Sequence, residues 1–178
     1  MKNVSTVNVV IDIPHEIHQE VIGNLPFSLA EFAGITQQGL LIGQVESGDN
    51  IEDYRQILKG LALRRFRLEF GAFKTRSYQN KENPYELLLS IKKTKQYNAF
   101  KQSLVQGIAM VPIKDVEWLI ASEIPMSYDE TMEAVSHFQP KRVKSFLVSR
   151  LLLTREASGY VEFDLPLTQE SLPLFPLL

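Results

Sequence analysis

The chain has 178 residues, 44% of them apolar and 22% charged, the proportions of an ordinary soluble globular protein. That length suits one domain, or one domain of two lobes, and can bury roughly 70% of the surface exposed on unfolding, so neither a disulfide nor a metal is needed to staple it. There is no cysteine, which excludes a disulfide framework, a thiolate nucleophile and a zinc ribbon or finger, and fits a reducing compartment.

No run approaches the ~20 apolar residues of a membrane helix. The opening residues do not read as a signal peptide, because Asn8 and Asp12 interrupt the apolar stretch after Lys2. The expectation is a cytoplasmic protein with no membrane partner.

Thr6 to Ile13 is rich in β-branched residues and predicts a strand. Pro14 suits the first turn of a helix, which carries His15, Ile17, His18, Val21 and Ile22 and ends near Gly23. Residues 25–38 read equally as a short helical turn or an ordered loop. Leu40 to Val45 is a strand, followed by the turn cluster Ser47-Gly48-Asp49-Asn50. Asn50 is placed to cap a helix with Ile51, Tyr54, Ile57, Leu58 and Leu61 on its apolar face. In the next strand Phe66, Leu68, Phe70 and Ala72 alternate with Arg65, Arg67, Glu69 and Gly71.

Tyr85 to Ile91 is a further strand, and Thr94 caps a helix bearing Tyr97, Phe100, Leu104, Val105 and Ile108. Val116 to Ile124 is a strand, and Ser127 with Glu130 fits a capping box. The helix behind it carries Met132, Val135 and Phe138, with His137 at its end, and stops before Pro140. Val143 to Leu153 and Tyr160 to Leu167 close the chain as two strands joined at Ala157-Ser158-Gly159. Helices alternating with antiparallel pairs predict an α+β fold with helices packed outside a mostly antiparallel core.

The net charge of −2 conceals an asymmetry: residues 61–101 hold 10 basic and 3 acidic side chains, while the segments on either side are acidic. Arg64, Arg65, Arg67, Lys74 and Arg76 are therefore candidates for binding phosphate, or else the solvated faces of strands. No phosphate loop, dinucleotide-binding turn, nucleophile elbow or zinc-protease helix is present. His15 and His18, three residues apart, lack the further ligands a metal needs and read as exposed helix residues, so no metal and no cofactor are expected. Glu46 and Asp49 read as loop-solvating carboxylates rather than an acid–base pair.

The order of elements resembles the 2H phosphoesterase superfamily, which includes bacterial 2′-5′ RNA ligases and cyclic nucleotide phosphodiesterases. The resemblance rests on the opening VVIDIP, the strand RFRLEFGAF from Arg65 to Phe73, the strand YELLLSI, and the closing VSRLLLTREASGYVEFDLPL from Val148 to Leu167. It covers almost the whole chain and implies a single bilobal domain over residues 1–178, with two mostly antiparallel sheets around a central groove. Each lobe of such a protein contributes one H-x-T motif, whose histidines act as general base and general acid while the hydroxyl residues bind phosphate.

Aligning those motifs here puts Gly39 and Glu117 at the histidines and Leu41 and Leu119 at the hydroxyl residues. No catalytic residue carries over. The expectation is a degenerate member, a pseudoenzyme that binds a nucleotide, RNA or protein. The alternatives are a phosphodiesterase rebuilt around Glu117, and an assembly protein that contacts a partner or a second copy through the apolar tail Leu172 to Leu178.

Overall fold

The computed structural model describes residues 5–23, 25–33, 39–47, 50–77, 85–136, 145–155 and 159–166. Asp49, Ala157, Ser158, His137, Phe138 and the tail from Leu172 to Leu178 lie outside them. The described elements run β1 (Ser5–Asp12), α1 (His15–Gly23), α2 (Phe27–Ala30), β2 (Gly39–Ser47), α3 (Asp53–Gly60), β3 (Phe66–Ser77), β4 (Tyr85–Ile91) and α4 (Lys95–Ile108). They continue with β5 (Val111–Pro112), β6 (Glu117–Ile124), α5 (Tyr128–Ser136), β7 (Ser145–Val148), β8 (Arg150–Arg155) and β9 (Gly159–Asp164).

The strands form two antiparallel sheets, ordered β5-β2-β1-β8-β9 and β6-β4-β3-β7, giving the expected α+β, bilobal arrangement. Local chemistry explains three of the helix starts. Thr94 Oγ1 accepts from the Tyr97 N–H at 3.2 Å and starts α4. The Glu130 N–H donates to Ser127 Oγ at 3.2 Å while the Ser127 N–H donates to Glu130 Oε2 at 3.3 Å, a complete capping box for α5. Asn50 Oδ1 accepts from the Glu52 N–H at 3.2 Å just before α3.

In the first sheet Val7, Val9 and Ile11 alternate inward with Leu151 and Leu153. In the second, Phe66, Leu68 and Phe70 do so with Phe146 and Val148. These side chains belong to one continuous core with Leu58 of α3, Phe100 and Leu104 of α4 and Val135 of α5. The other face of each sheet is mostly polar or half-buried, with Leu88 of β4 buried upon it. Gly43 lets β5 come alongside β2, since a Cβ there would lie 2.6 Å from the Met110 side chain.

Four expectations need correction. Val143 to Leu153 is not one strand: β7 pairs with β3 and β8 with β1, so the chain changes sheet at Ser149. The Ser149 carbonyl is held there by the Leu165 N–H at 2.9 Å. Ile57 is 45% exposed, because the buried face of α3 is set by Tyr54 and Leu58. Ala72 faces outward, because the register slips between Phe70 and Phe73 and returns Phe73 to the core side. His18 is 8% exposed rather than solvated, since it turns under β6.

Candidate functional site

The faces turned away from the core carry the residues singled out in the sequence. On the first sheet, Gly39 pairs with Asp12 and Leu41 with Val10. Leu41, Val10 and Leu152 are half-buried and make an apolar floor. Gly39 cannot bear a side chain without rearrangement: a Cβ would collide with the Ile11 carbonyl oxygen and lie 2.6 Å from Val10 Cγ1.

Beside this floor lies a charge cluster. Arg150 Nε donates to Asp164 Oδ1 at 3.0 Å and Arg150 Nη1 lies 3.6 Å from Glu162 Oε2. Burial lifts the Asp12 carboxyl above the usual carboxylate range; Arg150 draws it back, Glu162 pushes it further up and His18 draws it down. The hydrogen bond to Asp164 leads the causes that raise Arg150, which stays charged.

On the second sheet, Leu88 faces Leu119 and Ser90 faces Glu117, with Lys74 opposite Leu88 and Arg76 opposite Glu86. Glu117 lies between two cations: its Oε1 is 3.8 Å from Lys74 Nζ and its Oε2 is 3.8 Å from Arg76 Nη1. Arg76 is anchored from the other side, with Nη2 2.6 Å and Nε 2.8 Å from Glu86 Oε2. The four groups form a network across β3, β4 and β6, with Glu86 almost fully buried.

The five basic candidates are thus divided. Lys74 and Arg76 flank Glu117. Arg67 Nε donates to Ser145 Oγ at 3.3 Å on β7. Arg65 Nε donates to the Leu165 carbonyl at 2.9 Å and its N–H to the Pro166 carbonyl at 3.1 Å, tying β3 to the end of β9. Arg64 Nη1 donates to the Leu63 carbonyl at 2.7 Å. Of the histidines, His15 is exposed and His18 packs into the core against Trp118, so neither is carried by β2 or β6. Among the described residues no group of three or more His, Asp or Glu side chains is arranged to hold a metal ion, and no helix is long and apolar enough to cross a membrane.

Sequence reasoning passed over Asp12 as a member of a charge cluster, and Arg150 with it. The hairpin register that sets Arg150 opposite Asp164 was the available signal.

No family model matches this sequence, and no curated protein does. Solved structures are similar. One is Usb1 of Kluyveromyces marxianus, with a TM-score of 0.53 at 10% identity, covering 92% of this chain and 99% of that one. Another is the same protein with uridine monophosphate, with a TM-score of 0.51 at 10% identity and the same coverage. This chain shares the fold of these Usb1 structures. At such identity the likeness concerns the fold, and any activity has to be argued from the side chains.

Proposed function

We propose that this chain is a non-catalytic protein of 2H phosphoesterase-like fold, a pseudoenzyme that binds a nucleotide or an RNA end on the polar side of its two sheets. The observation that carries the reading is the state of the two positions aligned with the family's histidines. Gly39 has no room for a side chain. Glu117 is a carboxylate held between Lys74 and Arg76. An acid–base pair for phosphodiester chemistry needs two groups that exchange protons at the reacting atoms, and this pair offers one carboxylate at most. Leu41 and Leu119 have no hydroxyl to donate to a phosphate oxygen.

Binding is supported by different features. Leu41 and Val10 on the first sheet and Leu119 on the second offer apolar surface, and Lys74 and Arg76 offer cations on the second. The Usb1 structure with uridine monophosphate gives a nucleotide precedent on a similar fold. The rival reading, a phosphodiesterase rebuilt around Glu117, predicts turnover.

The test is calorimetric titration of the protein with uridine monophosphate across a salt series, alongside incubation with 2′,3′-cyclic nucleotides. The expected result is binding that weakens steeply with salt and no hydrolysis. Hydrolysis abolished by Glu117→Gln would overturn the reading in favour of the enzyme. Absence of any nucleotide or RNA binding would overturn it altogether.

A further inference from the structure

A cavity of about 370 Å³ opens between the end of β4, the first half of α4 and the start of β6. Four lysines line it: Lys74, Lys93, Lys101 and Lys114. Its carboxylates are Asp115 and Glu117. Lys93 Nζ lies 3.8 Å from Asp115 Oδ1, and Lys74 Nζ lies 3.8 Å from Glu117 Oε1. Among the described residues Lys101 and Lys114 have no ion-pair partner. Four cations against two anions leave a formal surplus of two positive charges in a cavity whose volume falls within the range of ~300–1,000 Å³ typical of ligand pockets.

Tyr97 supplies a second, independent feature. It lines the same cavity and is 2% exposed, yet among the described residues its hydroxyl has no hydrogen-bond partner. A buried donor left unmet is rare in folded proteins and asks for an explanation. Burial pushes the phenol up to about 12, so it remains a donor at neutral pH. Lys101 Nζ lies over the Tyr97 ring, 5.8 Å from its centroid, so the lysine and the phenol share one wall of the cavity.

Resting on the binding reading above, we propose that this cavity is the phosphate subsite, that its ligand is the dianionic phosphomonoester at the end of a nucleotide or RNA strand, and that Lys101, Lys114 and Tyr97 hold it. A phosphomonoester carries about −1.5 to −2 charges at pH 7, which matches the surplus; a phosphodiester link carries half as much. Tyr97 lines the cavity, and a small movement of its sealed phenol would bring the orphaned donor to a phosphate oxygen. The arginines preceding β3 have no part in this subsite, since Arg64 and Arg65 line a different cavity beside α4.

The experiment is calorimetric titration of the full chain at low salt with uridine monophosphate, inorganic phosphate, and uridylyl-uridine lacking a terminal phosphate. Uridine monophosphate is expected to bind at least tenfold more tightly than the dinucleotide. The double variant Lys101→Ala, Lys114→Ala is expected to weaken uridine monophosphate by tenfold or more, and the exposed-lysine control Lys59→Ala to leave it unchanged. Tyr97→Phe is expected to cost about tenfold, the scale of a hydrogen bond to a charged group, while its melting temperature stays level or rises because an unmet buried donor has been removed. Unchanged affinity in the double variant overturns the subsite and leaves the broader binding reading standing. Equal affinity for the dinucleotide overturns the phosphomonoester assignment. No binding of uridine monophosphate to the wild type overturns both.

Discussion

The imidazole of His18 stands edge-on to the indole of Trp118, ring centroids 4.9 Å apart and planes at 87°. This contact joins α1, which follows the first strand of one sheet, to β6 at the edge of the other. Trp118 also stacks on Phe70 of β3 at 5.9 Å and is 1% exposed. It therefore holds β6, and with it the adjacent Glu117, against the core. Trp118→Ala is expected to destabilise the fold by about 3–5 kcal/mol through cavity formation. His18→Ala is expected to cost less, with the edge contact itself contributing about 0.5–1.5 kcal/mol. Denaturant unfolding measures both; a Trp118→Ala cost under ~1 kcal/mol would show that the indole does not anchor β6.

Asp12 yields a pH prediction whose sign can be worked out. Its folded pKa is raised above 3.8, with burial the leading cause. The folded chain therefore holds the proton more tightly than the unfolded chain, and stability declines as pH rises from about 4 through the folded pKa. Asparagine carries no charge at any pH in that range. Asp12→Asn is expected to match the wild type at the acid end and to gain on it as pH climbs, reaching a constant advantage once Asp12 is fully ionised. Unfolding curves across that pH range decide it. A variant that loses ground as pH rises would mean that the attraction of Arg150 outweighs burial.

Much of this architecture is legible in the sequence because it is written locally. Thr94, Ser127 and Glu130 are capping residues wherever the chain goes, and Phe66, Leu68 and Phe70 alternate whatever they pack against. The break at Ser149 is harder to read. Apolar residues run on through it, and only the shift of the buried set from Phe146 and Val148 to Leu151 and Leu153 marks the change of sheet. The burial of His18 depends on an indole 100 positions away, and the environment of Asp12 on Arg150 and Glu162 near the other end of the chain. The absence of histidine from β2 and β6 was plain from the start. The confinement of Gly39 was not, because it depends on how closely β1 approaches.

That confinement can be probed directly. A Cβ at position 39 would strike the Ile11 carbonyl, which is backbone and cannot swing aside. Gly39→Ala is expected to destabilise by about 1–3 kcal/mol, the scale of an overpacked site, and Gly39→His by at least as much. Placing histidines at both positions, as Gly39→His with Glu117→His, is accordingly expected to give a destabilised protein with no phosphodiesterase activity. A stable double variant that hydrolyses 2′,3′-cyclic nucleotides would show that the two positions stand in a catalytic geometry.

Glu117 is where the binding and enzymatic readings diverge most. Its carboxylate sits on the same polar face as Lys74 and Arg76 and occupies part of the charge that both present. Arg76 keeps Glu86 as a partner at 2.6 Å, so removing the Glu117 charge does not strand it. Lys74 would be released toward any anion nearby. An exposed ion pair is worth about 0.2–1 kcal/mol, and loss of the repulsion between a carboxylate and a phosphate acts in the same direction. Glu117→Gln is therefore expected to tighten uridine monophosphate binding up to about fivefold and to steepen its salt dependence, with little change in stability. A catalytic carboxylate predicts the opposite pattern, with binding retained and turnover lost. Titration and hydrolysis assays on this one variant separate the two, since a gain in affinity without any activity to lose is a result the rebuilt enzyme cannot give.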